Sequence, residues 1–222
     1  MAVPTPLRRV LGLDAVGWMM APSERLAIIG LLAMLRPKRA LELGCAEGGL
    51  TTWLSTYAEE VVTVDIDEKV LRVTQALPNV VPMHMTTDEA TRRLEAEGRR
   101  FDLTIIDADH SAEGVRRDLE SALRFSDVIF LHDTYNPGCR AGILLVLEGR
   151  DVYHDLDLVP GGLQPDGLWG GLGIVVPGLP RSEVSHVTPR MSVFPWLAEQ
   201  SRRPTPAPRG LWRRARRLVR GG

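Results

Sequence analysis

The apolar positions of this chain fall into short, nearly unbroken runs separated by stretches of helical spacing. "RALEL" (39–43), "EVVTVDID" (60–67), "VVPMHM" (80–85), "FDLTIID" (101–107) and "DVIFLHD" (127–133) are dominated by aliphatic and β-branched residues and predict strands. Between them, the stretch that turns amphipathic from Leu50, then "EKVLRVTQAL" (68–77), "DEATRRLEAEG" (88–98) and "SAEGVRRDLESALRF" (111–125), predict helices. "PSERLAIIGLLAML" (22–35) adds a leading helix, with Ser23 and the nearby Glu24 as its start signal. Beyond residue 140, "AGILLVLEG" predicts one more helix and "GLWGGLGIVVP" (167–177) a late strand. Strands apolar almost throughout, alternating with helices, predict an α/β fold: a doubly wound, mostly parallel sheet with helices on both faces.

The pattern divides the chain into an N-terminal segment (1–24), one α/β domain (25–178), a Pro-rich linker without clear period (179–209) and a terminal tail (210–222). A length of 222 residues with 44% apolar content suits a single core. The longest apolar run, Leu26 to Leu35, is too short to cross a bilayer, and the N-terminus lacks the pattern of a secretion signal. Cys45 and Cys139 match no metal-ligand spacing and suggest a reducing compartment, so a cytoplasmic protein is expected. The net charge of −1 conceals an asymmetry: residues 201–222 carry eight Arg and no acid, leaving 19 basic against 28 acidic side chains in the body. "LWRRARRLVR" places Leu211, Ala215 and Leu218 on one face of a basic amphipathic helix.

In an open α/β sheet, ligands bind at the carboxyl ends of the strands, and the first strand-to-helix turn usually forms part of the site. Here that turn reads Gly44, Cys45, Ala46, Glu47, Gly48, Gly49. A dinucleotide site wants G-x-G-x-x-G, whose second Gly lets the backbone approach a pyrophosphate. Ala46 stands in that place and Glu47 brings negative charge, so the turn favours a ligand without phosphate. Asp65, 21 residues after Gly44, ends the second strand where it can accept hydrogen bonds from both hydroxyls of a ribose. A nucleoside is the expected ligand.

"LELGCAEGG", the acid ending "VVTVD", and Asp88 after the third strand resemble the S-adenosylmethionine (SAM) site of class I methyltransferases over roughly residues 25–176. The resemblance implies that Gly44, Cys45, Ala46, Glu47 and Gly48 pack against the methionyl part. It places Asp65 and Ile66 at the ribose and adenine, Asp88 near the adenine amine, Glu42 as the acid that fixes the loop, and Asp107 at the inner edge of the cofactor. "IIDADHSAEGVRRDLESAL" and "VIFLHDTYNPGCRAGI" are similar to metal-dependent small-molecule and sugar O-methyltransferases, including macrolide-sugar and aminocoumarin-sugar enzymes. By that match Asp107 and Asp133 bind a divalent cation, Mg²⁺ or Mn²⁺. Thr134 stands where the pattern has a third acid, with Asn136 or Asp109 left to complete the shell.

A sugar hydroxyl is about as weak an acid as water, with a pKa near 16, so it needs a base as it attacks. Asp109 and His110 are the first candidates and His132 the third. Tyr135 and Arg140 are candidates to reach a polar acceptor, and Trp169 to stack on a sugar ring or simply to pack; His84 is expected in the core. The expected activity is methyl transfer from SAM to a hydroxyl of a small molecule, foremost a sugar or oligosaccharide containing mannose or rhamnose. A phenol, catechol or polyketide acceptor is the alternative, and a non-catalytic SAM-binding regulator or a nicotinamide oxidoreductase are the readings of other kinds. Enzymes of this shape often pair, so a homodimer is expected. The body shows no aromatic and basic patch for nucleic acid, and the basic tail suggests weak contact with a membrane surface.

Overall fold

The computed structural model describes residues 17–163 and 167–184. The chain divides into a unit from Met1 to His186 and a second from Val187 to Gly222. The second lies outside the described residues, and with it the predicted basic tail helix and most of the Pro-rich linker. The described elements run α1 (Pro22–Leu35), β1 (Arg39–Leu43), α2 (Gly49–Tyr57), β2 (Glu60–Asp65), α3 (Lys69–Val73), β3 (Val80–His84) and α4 (Thr87–Ala96). They continue with β4 (Phe101–Ile106), α5 (Ala112–Phe125), β5 (Ser126–His132), α6 (Pro137–Leu147), β6 (Tyr153–Val159), β7 (Leu172–Val176) and a short 3₁₀ turn, Arg181–Val184. No helix among the described residues is long and apolar enough to cross a membrane.

The seven strands form one sheet in the order β3-β2-β1-β4-β5-β7-β6. β1 to β5 are parallel, and β7 enters antiparallel beside β5. Alternation along the strands splits the core in two. Leu41, Leu43, Val62, Ile106 and Leu131 pack with α4, α5 and α6 on one face. Ala40, Val61, Ile105 and Phe130 pack with Ile28, Leu32, Leu50 and Leu54 of α1 and α2 on the other. Ile28 and Leu32 are fully buried, each contributing roughly 1.5–3 kcal/mol of burial.

β6 was not expected from the sequence. Its "YHDLDLV" does carry the period-2 signal, Leu156 and Leu158 between Asp155 and Asp157, but the run is short and half polar. It lies at the sheet edge, where charged side chains blunt further pairing. Helix α1 also starts differently: Ala21 is its N-cap, Ser23 lies in the first turn, and the Ala21 N–H donates to the Glu24 carboxylate at 2.7 Å. His84 is exposed rather than buried, its Nε2 3.0 Å from the Ile66 carbonyl.

Candidate active site

The switch point lies between β1 and β4, whose neighbours diverge in opposite directions, and the glycine turn opens there. Gly44 has φ +97°, and a Cβ on it would lie 2.1 Å from the Asp107 carbonyl oxygen. Ala46 and Gly48 are also left-handed, at 46° and 76°. Asp65 holds this turn directly: one carboxylate oxygen accepts the Cys45 and Ala46 N–H groups, each at 2.9 Å, and the other accepts that of Asp67 at 2.9 Å. A carboxylate has about four acceptor sites, so one remains for a ribose hydroxyl. Ile66 beside it is 72% exposed, an uncovered apolar side chain where the adenine is expected. Glu47 is neutralised by Lys69 at 2.7 Å, and Asp88 by Arg92 on the next turn of α4.

Glu42 supports the turn from inside. It is fully buried, with one oxygen accepting from Thr51 at 2.6 Å and Thr63 at 2.5 Å, while the other has no partner. Burial pushes its carboxyl up to about 8, beyond what the two threonine hydroxyls can offset. Burial favours its neutral form, and its bonds tie Thr51 of α2 to Thr63 of β2 beside the turn. Between about 4.5 and 8 the folded chain holds a proton that the unfolded chain has lost, so this group's contribution to stability declines as pH rises through that window. Glu42→Gln flattens the decline, by roughly a few kcal/mol across the window, in urea melts at successive pH values. An unchanged pH profile would show that Glu42 is ionised in the fold.

The acids beyond the cofactor come together at the ends of β4 and β5. Asp107, His110 and Asp133 each present a ligand atom, all within 4.8 Å of one another. Asp133 has a left-handed φ of 54° and a buried Oδ1 without a hydrogen-bond partner, strain and a lone acceptor of the kind concentrated at functional sites. His110 lies 3.4 Å from both carboxylates and is half exposed; its hydrogen bond with Asp107 raises its pKa despite burial. His132 is buried between carboxylates, Nδ1 2.9 Å from Asp107 and Nε2 3.2 Å from Glu24. Burial favours its neutral form, but the charge and hydrogen bond of Asp107, with the Glu24 contact, raise it well above 6.5. Burial is the largest influence on Asp107 and Glu24 and raises both, but His132, with His110 at Asp107 and the Gly171 and Ala21 N–H groups at Glu24, leaves each lowered.

Several expected roles change accordingly. The carboxylates on either side raise the His132 pKa and engage both of its nitrogens, so it orients Asp107 and is not placed to take a substrate proton. Asp109 turns back toward α5, accepting the Ser111 N–H at 2.9 Å, which leaves His110 as the base candidate inside the cluster. Asn136 caps α6 through the Gly138 N–H at 2.9 Å and Thr134 is fully buried, so neither stands beside Asp107 and Asp133 as His110 does. Arg140 pairs with Asp157 at 3.1 Å and lies over the Tyr135 ring at 5.5 Å, so these two brace β6 rather than wait for an acceptor. Burial, then the Asp157 charge, pushes the Tyr135 hydroxyl up to about 12. Trp169 lines a cleft with Trp18 and Glu24. Glu24 and Trp18 carried no functional signal in the sequence: Glu24 read as a local helix start, and its contact with His132 spans 108 positions.

Residues 41–134 match the profile of a family described as a methyltransferase domain. The chain is 34% identical over 121 residues to the ribosomal RNA small subunit methyltransferase B of Photorhabdus laumondii, a match covering 51% of this chain and only 28% of that protein. Among solved structures, an O-methyltransferase from Bacillus cereus in complex with S-adenosylhomocysteine (SAH) superposes with a TM-score of 0.61 at 19% identity, covering 79% of this chain and 92% of that one. An O-methyltransferase of tomaymycin synthesis from Streptomyces achromogenes, in complex with SAM, superposes at 0.57 and 16% identity, covering 77% and 85%. At under 25% identity these structures share the fold alone with this chain, and residues 41–134 are the part that matches a methyltransferase domain.

Proposed function

We propose that the chain transfers the methyl group of SAM to a hydroxyl of a small molecule. The observation that carries this reading is the juxtaposition, across the β1–β4 switch point, of the Asp65-pinned glycine turn with the Asp107–His110–Asp133 cluster. The turn and Ile66 suit an uncharged nucleoside. Carboxylates and an imidazole facing the methyl position suit removal of a hydroxyl proton, a need that a binding protein without catalysis does not have. Asp107, which His132 Nδ1 meets at 2.9 Å, positions the acceptor oxygen, and His110 takes its proton. The acceptor oxygen bonds to the methyl carbon as the carbon–sulfur bond breaks, and the electron pair goes to sulfur.

The cluster suits a divalent cation: Asp107 and Asp133 bring carboxylate oxygens together, and Asp133 Oδ1 makes no hydrogen bond, only a 3.4 Å contact with His132 Nδ1. Asp107 and Asp133 would hold it, and His110 beside them keeps its lone pair for the proton. Such an ion lowers the pKa of a bound hydroxyl and fixes its direction. The sequence resemblance favours a sugar acceptor, with a phenol as the second reading.

A thermal-shift titration with SAH and NAD, each with and without Mg²⁺, tests the cofactor. Ligand at 100 times Kd stabilises the fold by about 2.7 kcal/mol. A shift with SAH alone is expected, and a further upward shift with Mg²⁺ if the cluster holds metal. A shift with NAD alone overturns the reading.

A further inference from the structure

We propose that the face of the fold built by α1 and α2 rests on the surface of an anionic membrane. From Leu26 to Leu35, α1 has no polar side chain, yet only Ile28 and Leu32 of that run are fully buried against the sheet. Leu26 is 55%, Met34 74% and Leu35 41% exposed, and Gly30 and Ala33 are open to solvent between them. α2, which shares a core with α1, carries no charged side chain. Its Trp53 and Tyr57 are half-buried and stack with ring centroids 6.4 Å apart, and their apolar bodies with polar tips suit a boundary between water and lipid. On the opposite face of the sheet, α4 and α5 are laced with acids and arginines, such as Asp88 with Arg92 and Glu113 with Arg116.

An uncovered apolar face marks contact with a protein or a membrane, and charge decides between them. Where α1 ends, Arg36, Lys38 and Arg39 are all exposed, and none forms an ion pair among the described residues. Arg36 lies over the Tyr57 ring at 5.1 Å, which sets a cation at the edge of the aromatic pair. Of the nearby acids, Asp102 accepts the Lys38 and Arg39 backbone N–H groups at 2.6 and 2.9 Å, and Glu60 pairs with Arg99 at 2.7 Å. Only the exposed Glu59 is left to face the three cations. A second copy presenting the same face would bring the same cations and no exposed acid from α1 or α2, since Glu24 is buried. Anionic headgroups complement them, each Lys or Arg near such a surface strengthening binding about fivefold.

The helix lies on the bilayer and does not enter it. Its 14 residues make about 21 Å of helix against a hydrocarbon core of about 30 Å, and Glu24 and Arg25 hold its first turn inside the protein. Ile28 and Leu32 stay packed in the core, so docking needs no unfolding. The docked helix begins beside the acid cluster, where Glu24 meets His132 at 3.2 Å. Residues 201–222, with eight Arg and no acid, add charge of the same sign to the chain.

The test is flotation of the full chain with vesicles of phosphatidylglycerol and phosphatidylcholine in equal parts, and with vesicles of phosphatidylcholine alone. Binding to the mixed vesicles is expected, about tenfold or more weaker on the neutral ones and falling as salt rises. Leu26→Glu together with Met34→Glu is expected to weaken it about tenfold or more, and Lys38→Gln with Arg39→Gln to a similar degree. Circular dichroism melts stay unchanged in both, because all four side chains are exposed. An environment-sensitive dye on Met34→Cys is expected to shift to the blue on the mixed vesicles, the two native cysteines being buried. No binding to the mixed vesicles, or binding indifferent to Leu26→Glu with Met34→Glu, overturns the proposal. A chain that ignores vesicles but sediments as a dimer, split by the same two substitutions, would give the face to a second copy instead.

Discussion

Asp107→Asn lowers turnover by about two to four orders of magnitude while leaving SAH affinity nearly unchanged. The substitution keeps the shape and one acceptor oxygen but removes the charge that His132 Nδ1 meets at 2.9 Å and His110 at 3.4 Å. Without that charge neither the acceptor hydroxyl nor its proton has a fixed destination. Stability falls too, by roughly 1–3 kcal/mol, because the buried His132 loses a charged hydrogen-bond partner. The pH profile separates this from a packing defect. His132 holds its proton more tightly folded than unfolded, so its contribution is fully present below about 6.5 and is lost as pH rises through the raised folded value. In the variant that decline is smaller, because the largest cause raising His132 has gone. Lost SAH binding with an intact fold would move Asp107 from the acceptor side of the site to the cofactor side.

Gly44→Ala removes SAH binding and costs several kcal/mol of stability. Two effects add. The left-handed φ of +97° strains any side chain by about 1–3 kcal/mol, and the new Cβ would stand 2.1 Å from the Asp107 carbonyl oxygen, a backbone atom with nowhere to go. Relief requires β1 and β4 to separate where Asp107 N–H donates to the Leu43 carbonyl at 2.8 Å, which spoils the turn and the acid cluster together. Gly48→Ala is the control, also at positive φ, but its Cβ would meet only the Val73 side chain at 3.1 Å. Circular dichroism melts and SAH titration on both variants check this. Equal loss in the two would show that φ alone, and not the approach of Asp107, makes Gly44 necessary.

The sheet, its helices and the cofactor turn were legible because each depends on local signals. A strand buried on both faces must be apolar along its length, and a turn that bends left must use glycine or another residue that tolerates positive φ. So "EVVTVD", "FDLTII" and "LGCAEGG" declared themselves, and Asp65 and Asp107 followed as the acids that end those strands. β6 was hidden because an edge strand with Asp155 and Asp157 buries little and shows only a short alternation.

The roles of the polar residues were a different matter. Sequence alone put Asp107 and Asp133 at neighbouring strand ends as ligands, with Asn136 or Asp109 to complete the shell, and offered Asp109 and His110 as bases with His132 third. Only the folded backbone turned Asp109 toward α5, spent Asn136 on capping α6 and enclosed His132 between Asp107 and Glu24. Local pattern determines which segments are strand, helix or turn, because it reports burial and backbone freedom. Partnership between side chains 20 to 108 positions apart depends on directions and distances that exist only once the sheet has closed over its two cores.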